Sequence, residues 1–140
     1  MKNRMVLLII FFLLLCTALP SSGGSLLTED IARDNIPQPR LIEPVADTVD
    51  LSGKKELVFK WSPHEGDVSR RKYYDFRLYN GYQTFESTLI LKKQVSKNKH
   101  EIAISSDVFK LGNIYTWTLR QKYRSGKSLR STSTFKVIKK

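Results

Sequence analysis

The chain has 140 residues, with 24 Lys and Arg against 13 Asp and Glu, a formal net charge of +11 and a single cysteine. One cysteine excludes an internal disulfide, so the folded part must be held by its hydrophobic core alone, which about 100 residues can supply. The positive excess favours anionic partners, and anionic lipid, cell-wall polymer and nucleic acid all belong to that class.

Taken in chain order, Lys2 and Arg4 precede an unbroken apolar run, Met5 to Leu15, followed by Cys16, Thr17, Ala18 and the helix breaker Pro20. A positive start, a short apolar core and a small-residue end form the layout of a secretory signal peptide. The run falls short of the roughly 20 apolar residues needed to cross a bilayer. Residues 1–18 are therefore expected to be a signal, cleaved near Ala18. The stretch Leu13-Leu14-Leu15-Cys16 resembles a bacterial lipoprotein box, but Leu15 stands where such boxes carry Gly, Ala or Ser. Lipid anchoring at Cys16 is disfavoured. The chain contains no Asn-X-Ser/Thr sequon. With the missing disulfide, this points to an exported protein of the bacterial periplasm or cell envelope. Without Lys2 and Arg4 the remainder carries +9.

Residues 19–36 read as a linker. Ser21 to Ser25 is a Gly/Ser-rich tether, and Leu26 to Asn35 shows no clear apolar face. One domain is expected over residues 37–140. Five segments in it alternate with a period of two. Leu57, Phe59 and Trp61 lead the first, and Tyr74, Phe76 and Leu78 the second. Ile102 and Ile104 mark the third, Tyr115, Trp117 and Leu119 the fourth, and Phe135 and Val137 the fifth. Each turns an apolar face one way and a mostly polar or small face the other, as half-buried antiparallel strands do.

The connectors agree. Residues Ser62 to Asp67 form a polar loop, Asn80-Gly81 is a short hairpin signal, and Ser125-Gly126-Lys127 joins the last two strands. No stretch after Asn35 sustains a helical period, and one turn is expected near Ser105 to Lys110, capped by Ser106 and Asp107. The fold class is all-β: an antiparallel two-sheet sandwich of about seven strands. Sheets packed about 10 Å apart need large interdigitating side chains. Trp61, Phe76, Tyr115 and Trp117 are expected to be core, with Phe59, Tyr74 and Phe135.

These residues resemble a fibronectin type III domain from about Pro39 to Val137. Pro39-Arg40-Leu41-Ile42-Glu43-Pro44 is similar to its proline-bounded first strand. Leu57 to Pro63 resembles the second strand, which ends in a core tryptophan followed by a proline, and Tyr74 to Leu78 stands where the third would. Leu111 to Leu119 looks like the family's tyrosine corner, where a tyrosine hydroxyl bonds to upstream backbone. Ser128 to Ser131 and Phe135 resemble the closing strand. Gln83 to Val95 is longer than the family's short middle strand. The resemblance implies a fold and a binding or spacer role, and no substrate.

Catalytic equipment is sparse. His64 and His100 are the only histidines, and with Cys16 in the signal no Cys–His pair can form in the mature chain. No Gly-X-Ser-X-Gly elbow or strand-linked phosphate loop occurs. His64, Glu65 and Asp67 read as a solvated loop rather than a metal site, which needs three or four convergent ligands. No enzyme activity, metal or cofactor is expected.

Basic clusters carry the functional signal. Arg70-Arg71-Lys72 leads into a strand whose outward face shows Tyr73, Asp75, Arg77 and Tyr79. Lys92-Lys93 and Lys97-Asn98-Lys99 form a second group, and Arg120, Lys122, Arg124, Lys127 and Arg130 straddle the last hairpin. In a fibronectin-like arrangement the strands of Arg77 and Arg120 are neighbours. The candidate binding residues are thus Arg77, Tyr79, Arg120, Lys122 and Arg130 on one outer face, with Tyr73 and Tyr123 beside them. The expected partner is another envelope protein, recognised through a sheet face or edge. The alternative is an anionic polymer, glycan or membrane surface held by the basic face, and nucleic acid is not expected.

Overall fold

The computed structural model describes residues 36–45, 47–63, 70–124 and 126–138. The expected signal, nearly all of the expected linker and the loop around His64, Glu65 and Asp67 lie outside the described residues.

Nine strands are present among them: β1 (Arg40–Glu43), β2 (Thr48–Asp50), β3 (Glu56–Ser62), β4 (Arg71–Asn80), β5 (Leu89–Ser96), β6 (Glu101–Ser105), β7 (Ile114–Tyr123), β8 (Gly126–Lys127) and β9 (Ser131–Ile138). One sheet has the order β1-β3-β6; the other runs β2-β9-β7-β4-β5, with β8 paired to β7. Neighbours are antiparallel except β2 and β9, which pair in parallel, Thr48 with Lys136 and Asp50 with Ile138. The chain thus starts in one sheet and crosses to the other within a few residues. The two-sheet sandwich is the expected one. Two of the strands beyond seven are short: β2 has three residues and β8 two.

The alternation becomes the core. Phe59 and Trp61 of β3 face Phe76 and Tyr74 of β4 and Trp117 of β7 across the layers. Phe59 meets Phe76 and Trp117 edge-on, with ring centroids 5.1 and 5.2 Å apart, and Trp61 meets Tyr74 at 5.3 Å. Such tilted geometries suit the ring quadrupoles and add to the area buried. Tyr115 stacks on Phe135 at 5.9 Å. The four residues expected in the core, Trp61, Phe76, Tyr115 and Trp117, are all buried.

Two polar contacts tie that core to the backbone. The Lys110 N–H donates to the Tyr115 hydroxyl at 2.7 Å, which is the expected tyrosine corner. Trp117 Nε1 donates to the Pro44 carbonyl at 2.9 Å, pinning the β1–β2 crossing to the middle of β7.

Two local expectations change. Asn80-Gly81 does not close a two-residue hairpin: β4 ends at Asn80 and β5 begins at Leu89, with a 3₁₀ turn at Glu86–Thr88 between them. Gly81 has φ +85°, which glycine reaches cheaply, and it opens a longer connector that reverses the chain into β5. The expected turn near Ser105 is a 3₁₀ turn at Ser106–Val108. Its cap is Ser105, whose hydroxyl accepts the Asp107 N–H.

Candidate functional site

Pairing decides which outward side chains meet. Asp75 of β4 lies opposite Arg120 of β7, Arg77 opposite Thr118, and Tyr79 opposite Thr116. On the other flank Arg77 faces Lys92 of β5. A sheet row therefore places Arg77 and Arg120 on one face, as expected, and sets Asp75 between them.

Arg130 arrives from the segment joining β8 to β9. Ser128 fixes that segment: its hydroxyl accepts the Gln121 N–H at 3.0 Å and donates to the Leu129 carbonyl at 2.7 Å. From there Arg130 Nη2 reaches Asp75 Oδ2 at 2.6 Å, and Nη1 donates to Thr118 Oγ1 at 3.2 Å. Arg120 Nε meets the same carboxylate oxygen at 3.1 Å, and Arg77 Nε meets Oδ1 at 3.5 Å. Three guanidiniums converge on one carboxylate.

The electrostatics follow from that geometry. Burial alone would raise the Asp75 pKa, but the charge and hydrogen bond of Arg130, with Arg77 and Arg120, hold it below its ordinary value. Burial pulls Arg130 below the usual arginine range; Asp75 opposes this, while Arg120 and Arg77 add to it. For Arg77, burial is outweighed by hydrogen bonds and charge from Tyr79 and Asp75, so its pKa is raised.

The β4–β5 connector lies along this face. The Gly81 N–H donates to the Ile114 carbonyl at 2.8 Å, and the Gly81 carbonyl accepts from Thr116 Oγ1 at 2.7 Å. Thr88 Oγ1 bonds the carbonyls of Gln83 and Phe85, and Arg77 Nη1 lies 3.9 Å from Glu86 Oε2. Tyr82 helps line a recess of about 400 Å³ with Asp47, Thr48, Ile114, Thr134 and Lys136. Tyr82 and Phe85 themselves are 68 % and 62 % exposed.

Of the five expected binding residues, Arg77, Arg120 and Arg130 come together. Lys122 stands further along β7, opposite Tyr73 and Lys127, outside the Asp75 cluster. Tyr79 is a correction: it is 2 % exposed and offers no contact surface. Two cations of the basic clusters are likewise buried, Arg71 and Lys127. Arg71 Nη1 donates to the Tyr74 hydroxyl at 2.9 Å, and its guanidinium carbon stands 5.5 Å from that ring's centroid. Lys92 and Lys93 remain exposed on β5.

Sequence reasoning did not foresee Asp75 as the hub, or Tyr82 and Phe85. The first was within reach, since Asp75 is the lone acid on the outward face of its strand. The second pair sits in the connector of the β4–β5 hairpin, which is eight residues long where the Asn80-Gly81 signal implied two.

His100 packs edge-on to Tyr74, with centroids 6.2 Å apart. Among the described residues no group of three His, Cys, Asp or Glu is placed to hold a metal.

No protein-family model matches the chain, and no curated protein matches it. Among solved structures, similar chains include one described as FN3tt, at 18 % identity over 74 % of this chain and 99 % of that one, with a TM-score of 0.48. The fn3 domain of human contactin 1 is 12 % identical over 86 % of this chain and 94 % of its own, with a TM-score of 0.49. The third fibronectin III domain of human KIAA0343 protein is 13 % identical over 84 % and 95 %, with a TM-score of 0.46. The strand order and the tyrosine corner, not these scores, make the domain a fibronectin type III-like sandwich.

Proposed function

We propose that this sandwich is a non-catalytic binding or scaffold module of an exported envelope protein, and that it docks a partner protein through the outer face of β4, β7 and β9. The carrying observation is the pair of exposed aromatics, Tyr82 and Phe85, on a connector hydrogen-bonded into place over that face. Large rings held in water on a fixed loop keep their desolvation gain for an encounter. Aromatics and arginines are the residues that dominate binding energy at interfaces. Export is supported by the Met5–Leu15 run behind Lys2 and Arg4.

The test is proximity labelling in the native envelope with wild-type chain and a Tyr82→Ala/Phe85→Ala variant. The reading expects a saturable wild-type partner that the variant loses, with folding unchanged. Identical labelling by both would end it.

The alternative, a polyanion or glycan binder, is weakened by the burial of Arg71 and Lys127, two cations of the basic clusters that an extended polymer would need to reach. Phosphate-type contacts weaken steeply between about 50 and 200 mM salt. Retention on an anionic matrix that collapses over this range, for wild type and for the aromatic double variant alike, would revive it.

A further inference from the structure

The arginine cluster is short of negative charge. Asp75 is the one buried acid that Arg77, Arg120 and Arg130 share, and the three arginine side chains are only 15–21 % exposed. Among the described residues their other acidic neighbour is Glu86, 3.9 Å from Arg77 and 79 % exposed. So three cations have one committed anion and one loose one. Lys92, opposite Arg77, adds a further positive charge. Arg120 meets Asp75 through Nε alone. Its two Nη groups, four N–H donors in one plane, have no protein acceptor among the described residues.

We infer that Arg77 and Arg120 form a preorganised seat for a carboxylate carried by an acidic segment of the partner, which displaces Glu86. This rests on the reading of the face as a docking surface and supplies its chemistry. Glu86 shows that a carboxylate approaches from the connector side, and it is adjacent in sequence to Phe85. A side-chain carboxylate would bring with it neighbouring residues for Tyr82 and Phe85 to cover; a free ion would use only the charges. Asp75 matters as the positioning residue that fixes the guanidiniums, so that little order remains to be imposed on binding.

The test follows the arginine Nε–Hε signals by NMR at about 150 mM salt, where only contacts within about 8 Å escape screening. Deca-glutamate is titrated in, with deca-glutamine and inorganic phosphate as comparators. The seat predicts saturable shifts at Arg77 and Arg120 with deca-glutamate and none with deca-glutamine. Glu86→Gln, which alters an exposed side chain, should tighten binding about threefold by removing the competing carboxylate. Arg120→Lys keeps the charge beside Asp75 but removes the planar fork, and should weaken binding about tenfold or more.

Absence of saturable shifts, or a Glu86→Gln variant no tighter than wild type, overturns the seat. Phosphate saturating the same signals at equal or lower concentration also overturns it, in favour of a free-ion site. The Tyr82→Ala/Phe85→Ala variant separates the two readings. If it keeps wild-type partner labelling while deca-glutamate still binds, the docking face fails and the seat stands. If it loses the partner while deca-glutamate never bound, the seat fails and the face stands.

Discussion

Arg130 Nη2 lies 2.6 Å from Asp75 Oδ2, a contact between residues 55 positions apart that holds the β8–β9 segment against the centre of β4. Both partners are largely removed from water, with side-chain exposures of 21 % and 7 %. Breaking one member of such a pair leaves the other's charge desolvated, which costs more than the intact pair contributes.

Asp75→Asn should therefore destabilise the domain by about 3 kcal/mol, since it strands three guanidiniums at once. Urea unfolding of the variant, with an unchanged slope, measures this. Replacing Arg77, Arg120 and Arg130 together by Ser would strand Asp75 in the same way, so such a variant is not expected to leave the fold intact.

The same carboxylate sets a pH dependence. Its folded pKa lies below the ordinary 3.8, so the folded state holds the proton less tightly than the unfolded chain. The stability this supplies is complete above the unfolded value and is lost as pH falls through the lower folded value. The stability gap between wild type and Asp75→Asn should stay level above about pH 5 and shrink below about pH 4. A gap that grows on acidification would contradict the pairing.

Tyr115→Phe removes the acceptor of the Lys110 N–H and nothing else of size. The expected loss is about 1–2 kcal/mol, the cost of a part-buried donor left without its partner. Hydrogen exchange at the Lys110 amide should quicken by more than at amides elsewhere in β7.

Gly81→Ala tests the connector. A methyl group there meets nothing within 4 Å, so the cost comes from φ +85° alone. About 1 kcal/mol is expected. Chemical denaturation measures the loss, and exchange at the Gly81 amide position reports whether its bond to Ile114 loosens.

The inward half of the fold was readable because a period of two reports which side chains share a layer. Phe59, Trp61, Phe76 and Trp117 all went where alternation put them. The outward half was harder, because alternation says that Tyr79 points away from the core but not that it will be buried on the outer face. Tyr79 is buried all the same, with Thr116 opposite it on β7 and the Arg77 side chain hydrogen-bonded to it. The cluster was half legible: neighbouring strands could be inferred for Arg77 and Arg120, whereas the Arg130 contact depends on how Ser128 shapes a short segment after β8. The parallel strand β2 carries only three residues, too few for a period to show.

Register also predicts an asymmetry in β6. The His100 carbonyl accepts the Trp61 N–H at 3.0 Å, and Phe59 lies opposite Ile102. Bonded positions on this strand thus fall at 100, 102 and 104, and the Ala103 N–H points away from β3. Ala103→Pro should cost about 1 kcal/mol, whereas Ile102→Pro removes a ladder bond and should cost about 3 kcal/mol or more. Equal losses in thermal unfolding would mean that the strand is paired differently.

The parallel pairing of β2 with β9 has a mechanical consequence. The Lys136 N–H bonds the Asp47 carbonyl at 2.8 Å, and the Leu51 N–H bonds that of Ile138 at 3.3 Å. Tension applied at the two ends of the sandwich drags these strands past one another in opposite directions along their common axis. Their rungs are strained together and must rupture together, unlike a zipper opened from one end. Under such a pull the domain would resist first at β2, a strand of only three residues.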